Sequence, residues 1–238
     1  MSELITVLLL TLMAGLAMPL GGLLACIEHI RPCWLENELR HAIIAFGGGA
    51  LLAAIALVLV PDGIKHLSLI PAVVFFLLGG LGFMLLDIAL YKFNTPASQL
   101  AAMLSDFLPE SIALGAAFAM GGNTGILLAI IIALQNLPEG FNAYRELKQG
   151  SHFSGTRIIL LFTLLALAGP VAGSIGYFYL AEQTQILAGI MLFAAGGILY
   201  SVFQDIAPQA KLDKHWLPTF GAVLGFTLGL AGYIVTNG

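Results

Sequence analysis

Charge is what this 238-residue chain has least of: Asp, Glu, Lys and Arg make up 9% of it, against roughly 25% in an ordinary soluble domain. So few charges cannot coat a water-facing surface, which excludes one or two soluble domains of this length. Segments of about 10 residues that alternate apolar and polar are also missing, which excludes a transmembrane β-barrel. The first apolar block lacks a basic leader, so no cleavable signal peptide is expected. No linker or low-complexity tract interrupts the chain. The net charge of −4 is spread over short loops and says little about partners; no nucleic acid is expected among them. Cysteine is limited to Cys26 and Cys33.

What is present is hydrophobic, at 59% of residues, and falls into blocks of about 20. That is the length an α-helix needs to cross a hydrocarbon core roughly 30 Å thick. Eight blocks run near 4–26, 42–60, 68–90, 99–120, 123–143, 157–180, 185–207 and 217–235. Leu, Ala and Gly dominate them. Small residues of this kind let helix backbones approach one another in lipid. The expected fold is an all-α integral membrane protein, one transmembrane domain over 1–238.

The few basic residues orient the spans. Arg31 and Arg40 lie between spans one and two, Lys92 follows span three, Arg145, Lys148 and Arg157 separate five and six, and Lys211 and Lys214 separate seven and eight. Only Lys65 falls on the other side. The positive-inside rule makes the basic face cytoplasmic and puts both termini outside. Cys26 and Cys33 then fall on the reducing side, where no disulfide is expected.

Internal similarity organises the spans. Phe46-Gly47-Gly48-Gly49-Ala50-Leu51-Leu52 with Pro61 matches Phe193-Ala194-Ala195-Gly196-Gly197-Ile198-Leu199 with Pro208, at an offset of 147. Leu16-Ala17-Met18-Pro19 matches Leu167-Ala168-Gly169-Pro170 at 151, and Leu81-Gly82-Phe83 matches Leu224-Gly225-Phe226 at 143. Spans 1–3 thus map onto spans 6–8 with opposite direction through the membrane. Spans four and five stand between them, so the arrangement is three plus two plus three. Such inverted repeats are the usual framework of alternating access in secondary transporters, with the two halves moving against each other around a midplane site.

The central spans carry the chemistry. Asp106-Phe107-Leu108-Pro109-Glu110-Ser111 and Gln135-Asn136-Leu137-Pro138-Glu139-Gly140 resemble each other. In each, a polar residue stands one turn before a glutamate, on the same helix face. An acid at mid-bilayer costs at least about 2.5–3.5 kcal/mol on the insertion scale. Pro109 and Pro138 also leave the carbonyls of Ser105 and Leu134 without their helical donors. With no Lys or Arg inside these spans, a bound cation or protons must neutralise the acids. The short turn Gly121-Gly122-Asn123-Thr124-Gly125 makes the two helices antiparallel neighbours, so both pairs can converge.

These motifs resemble the Zrt/Irt-like (ZIP) family of divalent metal transporters, whose pattern in spans four and five is close to His-Asn-x-Pro-Glu-Gly. Ala14-Gly15-Leu16-Ala17, Leu85-Leu86-Asp87 and the stretch from Leu199-Tyr200 through Pro208 are also similar to family sequence. The likeness is closest to the compact bacterial subgroup, which implies a bacterial inner membrane. It implies a metal site built from Asp106, Glu110, Gln135 and Glu139, with Asn136 as a further ligand or supporting group. Asp106 and Phe107 replace the usual His and Asn, and Gly169 stands where many members have Glu, which implies one metal position instead of two. The four side chains offer only oxygen. Oxygen shells suit Mn²⁺ or Fe²⁺, while the family favours Zn²⁺, and Cd²⁺ is compatible.

No prosthetic cofactor is expected; the partners are the transported divalent metal and the lipid bilayer, with room for a homodimer. Met18 and Leu51 read mainly as core, Asp87 as structural or part of a cytoplasmic vestibule, and Gln204, Asp205 and Gln209 as lining an exit. Cys26, Glu28, His29, Cys33 and His41 read as interfacial packing, although together they could receive metal. The alternatives are a non-transporting metal sensor or structural relative and a proton-coupled solute carrier. An enzyme is not expected, because no His-Glu-x-x-His run or Gly-x-Gly-Asp motif accompanies the acids.

Overall fold

The computed structural model of the chain describes residues 3–27, 33–93, 96–119, 124–213 and 215–237, with backbone alone at 33–37, 93, 96–99, 102, 124 and 237. The described residues form eight long helices and no strand. They are α1 (Glu3–Ile27), α2 (33–64), α3 (Leu69–Phe93), α4 (Pro96–Ala119), α5 (Thr124–Gly150), α6 (Gly155–Leu180), α7 (Thr184–Ala210) and α8 (Leu217–Asn237). Seven are long and apolar enough to cross a membrane; the other is α4, which carries Asp106 and Glu110. The chain is an all-α, multi-pass membrane protein.

Each apolar block lies within one helix, and the main differences are at the ends. Helix α2 begins at Cys33, not near 42, and α5 runs on to Gly150, past 143. Apolarity marks the stretch that crosses lipid, whereas backbone hydrogen bonding continues into flanks rich in Glu, Leu, Arg and Lys, all good helix formers. Helix α6 starts where the Ser154 side chain accepts from the backbone N–H of Arg157 at 3.2 Å, satisfying one orphan donor of the first turn.

Prolines shape the helices unequally. In α2 the turn Ile55–Leu59 widens to π geometry, and Val60 N–H bonds back to the Ile55 carbonyl. In α7 the turn Val202–Ile206 does the same, with Ala207 N–H on the Val202 carbonyl. Pro61 and Pro208 follow, each unable to donate to the carbonyl four residues earlier, which the wide turn accommodates. The two wide turns, like the two prolines, are 147 residues apart. Pro170 is accompanied by a break in α6 at Leu167, whose N–H bonds to the Leu164 carbonyl at 3.2 Å, while Pro19 sits inside an unbroken α1.

The helices pack as two groups, α1, α4, α5 and α6 in one and α2, α3, α7 and α8 in the other. Within the first, α1 lies on α5 and α6, and α4 lies on α5 and α6; within the second, α2 lies on α8 and α7, and α3 on α7. Helix α2 meets α5 and helix α4 meets α7 across the boundary. Exchanging α1 with α6, α2 with α7, α3 with α8 and α4 with α5 turns these contacts into one another. The repeat is therefore visible in packing as well as in sequence. The repeat halves are not the packing units, however, since each group mixes helices from both. The expectation that one half moves as a body against the other does not fit this interleaving.

Glycines set the register of the crossings. A Cβ at Gly49 would strike the Ala222 carbonyl and one at Gly225 the Phe46 carbonyl; likewise Gly196 meets the Phe76 carbonyl and Gly79 the Phe193 carbonyl. These crossed pairs equate Gly49 with Gly196 at offset 147 and Gly79 with Gly225 at 146. The offset of 143 for the third and eighth spans is thus corrected by three residues. A Leu-Gly-Phe triplet recurs too easily in such a chain to fix register, whereas backbone contact allows only one.

Helices α3 and α8 lie at the outside, with Leu77 (64% exposed) and Val235 (82%) among many exposed apolar side chains. Such apolar outer surfaces suit helices that span a membrane.

Candidate functional site

A cavity of about 330 Å³ lies between the two groups of helices. Helix α5 supplies a stripe at helical spacing, Gln135, Glu139, Asn142 and Glu146; α4 supplies Met103, Ser105 and Asp106. Asp87 and Tyr91 of α3, Leu51 of α2, and Tyr200, Asp205 and Gln209 of α7 complete the wall. The cavity runs from the interior, where Met103 and Gln135 are fully buried, to the exposed Tyr91 at the end of α3. All these helix ends belong to the face that carries the basic loops.

Asp106, Gln135 and Glu139 thus share one cavity. Glu110 does not border it: the carboxyl is 1% exposed and lies behind Gln135, whose Nε2 donates to Glu110 Oε2 at 2.6 Å. Asn136 turns to the other side of α5 and donates from Nδ2 to the Ala14 carbonyl of α1 at 3.0 Å. Asp106 Oδ1, Glu110 Oε1, Gln135 Oε1 and Asn142 Oδ1 are buried without hydrogen-bond partners. Ser105, whose carbonyl Pro109 deprives of its helical donor, is in the lining as well. Oxygen is the dominant donor here; the Met103 thioether is the one sulfur among the described lining residues.

The acids form a string. Glu139 is within electrostatic reach of Asp106 and Glu110, Asp106 of Asp205, and Asp205 of Asp87. Tyr200 Oη donates to Asp87 Oδ2 at 3.0 Å, and Asn142 Nδ2 donates to Gln209 Oε1 at 3.0 Å, each joining α7 to a neighbouring helix. Among the described residues no three His, Cys, Asp or Glu side chains come together in a metal-holding group. Of the predicted residues, Asp106, Glu139 and the Gln135 amide face the cavity, with the Glu110 carboxylate behind the amide.

Of the neighbouring residues weighed from sequence, Leu51, Asp87, Asp205 and Gln209 line the cavity, while Met18 is core and Gln204 lies outside the lining. Glu28, His29 and the Cys33 side chain lie outside the described residues. Sequence reasoning missed Met103, Asn142 and Glu146, while Ser105 was singled out for its freed carbonyl. The signal for two of them was available, since Asn142 and Glu146 continue the period that joins Gln135 to Glu139.

Phe107 and Gly169 explain each other. The Phe107 ring is fully buried, and a Cβ placed on Gly169 would come within 2.5 Å of its tip, as one on Gly15 would within 2.8 Å. The ring fills the space that a longer side chain at 169 would occupy.

No family model matches the chain. It is 33% identical over 81 residues to the zinc transporter ZIP11 of Homo sapiens, and 32% identical over 81 residues to that of Bos taurus. The match covers 34% of this chain and 24% of either relative, so it spans about a quarter of their length. The similarity supports a relationship to the ZIP family.

Proposed function

We propose that the chain carries divalent transition-metal cations across a membrane, binding one cation at a time among Asp106, Glu110, Gln135 and Glu139. The observation that carries this reading is the cavity itself: buried oxygens of an acid-rich wall stand unpartnered between the two helix groups. A cation is the species that such a wall would hold in low dielectric, because unpaired carboxylates there are costly. Asn136 supports the site from behind by tying α5 to α1.

A single metal position is favoured by Phe107, whose ring packs against Gly169 and fills the space where a longer side chain would stand. The relatives named as zinc transporters favour zinc as cargo. The donor set is hard, and the lining includes neither His nor Cys among the described residues, which favours Mn²⁺ or Fe²⁺ beside Zn²⁺ and Cd²⁺. The basic loops point to a cytoplasmic face, and in a bacterial plasma membrane the cavity would then open inward and deliver the metal to the cytoplasm. Access alternates when the group of α2, α3, α7 and α8 shifts along α4 and α5.

The test is metal uptake into proteoliposomes, with Mn²⁺, Fe²⁺, Zn²⁺ and Cd²⁺ in competition. Uptake that Glu110→Ala and Glu139→Ala leave intact would sink the proposal. Metal binding without flux would instead identify a sensor.

A further inference from the structure

Gln135 and Glu110 are arranged more tightly than ligation alone requires. Both are enclosed, at 2% and 1% exposure. Only Gln135 borders the cavity, and Glu110 lies directly behind it, held by the 2.6 Å hydrogen bond from Nε2 to Oε2. An ionised carboxylate can only accept, and the nitrogen end of the amide is the end that faces it. The other two oxygens, Glu110 Oε1 and Gln135 Oε1, are buried without partners. Native proteins leave few such atoms unsatisfied, and two on one hydrogen-bonded pair call for a function.

We infer that Gln135 is the occluding group of the site, its amide N–H occupying on Glu110 the place of the cargo's charge until rotation admits the cation. This rests on the proposed transport. The terminal torsion of glutamine is broad and roughly two-fold. A half-turn therefore exchanges Nε2 for Oε1 with almost no change in volume. Before the turn, the amide screens Glu110 from the cavity. After it, Oε1 becomes a fourth oxygen beside Asp106, Glu110 and Glu139. One side chain is thus both stopper and ligand.

The arrangement also sets a threshold for entry. An ion must displace a charge-assisted hydrogen bond before Glu110 can coordinate it. A divalent cation gains enough from two or three carboxylates to do so, whereas a monovalent ion gains about half as much per contact. Gln135 accordingly acts on the selection of charge as well as on binding.

The experiment is carboxyl modification of the full-length protein in nanodiscs without metal, using a hydrophobic carbodiimide and peptide mass spectrometry at Glu110 and Glu139. In the wild type Glu139, which lines the cavity, reacts and Glu110 lags well behind. Gln135→Ala speeds Glu110 by about tenfold or more, the loss expected for a hydrogen bond to a charged group, and leaves the rate at Glu139 unchanged. Gln135→Asn, one methylene too short to reach, does the same and decides the matter if the alanine variant does not fold. Equal rates at Glu110 and Glu139 in the wild type, or no acceleration in a folded variant, overturn the inference. Adding Mn²⁺ or Zn²⁺ separates the two readings: failure of either ion to protect Glu110 counts against the metal cargo, while the Gln135 effect stands or falls on the metal-free rates.

Discussion

The motifs on α4 and α5 are alike in sequence and unlike in place. In each, a polar residue precedes a Pro-Glu pair by one turn. Yet on α4 the first member, Asp106, lines the cavity and the second, Glu110, is sealed; on α5 both Gln135 and Glu139 line it. The residues between them differ as well. Phe107 drives its ring between Gly15 and Gly169, and Asn136 reaches the Ala14 carbonyl with a hydrogen bond. Both therefore fasten their helix to α1, one by packing and one by polarity. A repeated motif thus yields two different attachments and one asymmetric site.

The largest effect expected from breaking this asymmetry is on transport. Glu110→Ala and Glu139→Ala should each reduce metal uptake by at least about 100-fold, although only one of the two glutamates touches the cavity. Loss at Glu139 with normal uptake at Glu110 would mean that the cargo never passes behind Gln135. Next come the two attachments. Phe107→Ala should destabilise the protein by about 3–5 kcal/mol through the cavity it leaves, against about 1 kcal/mol for Asn136→Ala. Unfolding in detergent measures both, and equal losses would show that packing and polarity do not divide the work in this way.

Acidity gives a smaller, graded effect. Protons compete with a metal for carboxylates, so binding should weaken as pH falls, and calorimetric titration with Mn²⁺ over a pH series reads the slope. Smallest is Asn142→Ala, which removes the 3.0 Å link to Gln209 across the group boundary. It should leave stability within about 1 kcal/mol and change the transport rate only a few-fold. A complete loss of uptake would promote Asn142 to the site itself.

Much of this was legible because the bilayer imposes simple rules. The eight blocks, the uneven basic loops and the offset of 147 each follow from length, charge or spacing along a helix. The face shared by Gln135 and Glu139 was equally plain, and its extension to Asn142 and Glu146 could have been read the same way. Depth behind a neighbour was not legible. Nothing in the spacing of Asp106 and Glu110 tells which of two residues on one helix face opens to a cavity closed by α7, a helix distant in the chain.

Sequence by itself determined that this is an all-α membrane protein with an internal repeat and acids in its middle pair of helices, since chain-local periodicity and the cost of charge in lipid leave few alternatives. Tertiary structure alone decided that the repeat halves interleave into two groups, that the true register of α3 and α8 is set by glycines against carbonyls, and that Gln135 stands between the cavity and Glu110. These are matters of which surfaces meet. Contacts between distant segments depend on close packing in three dimensions, which no pattern along one helix encodes.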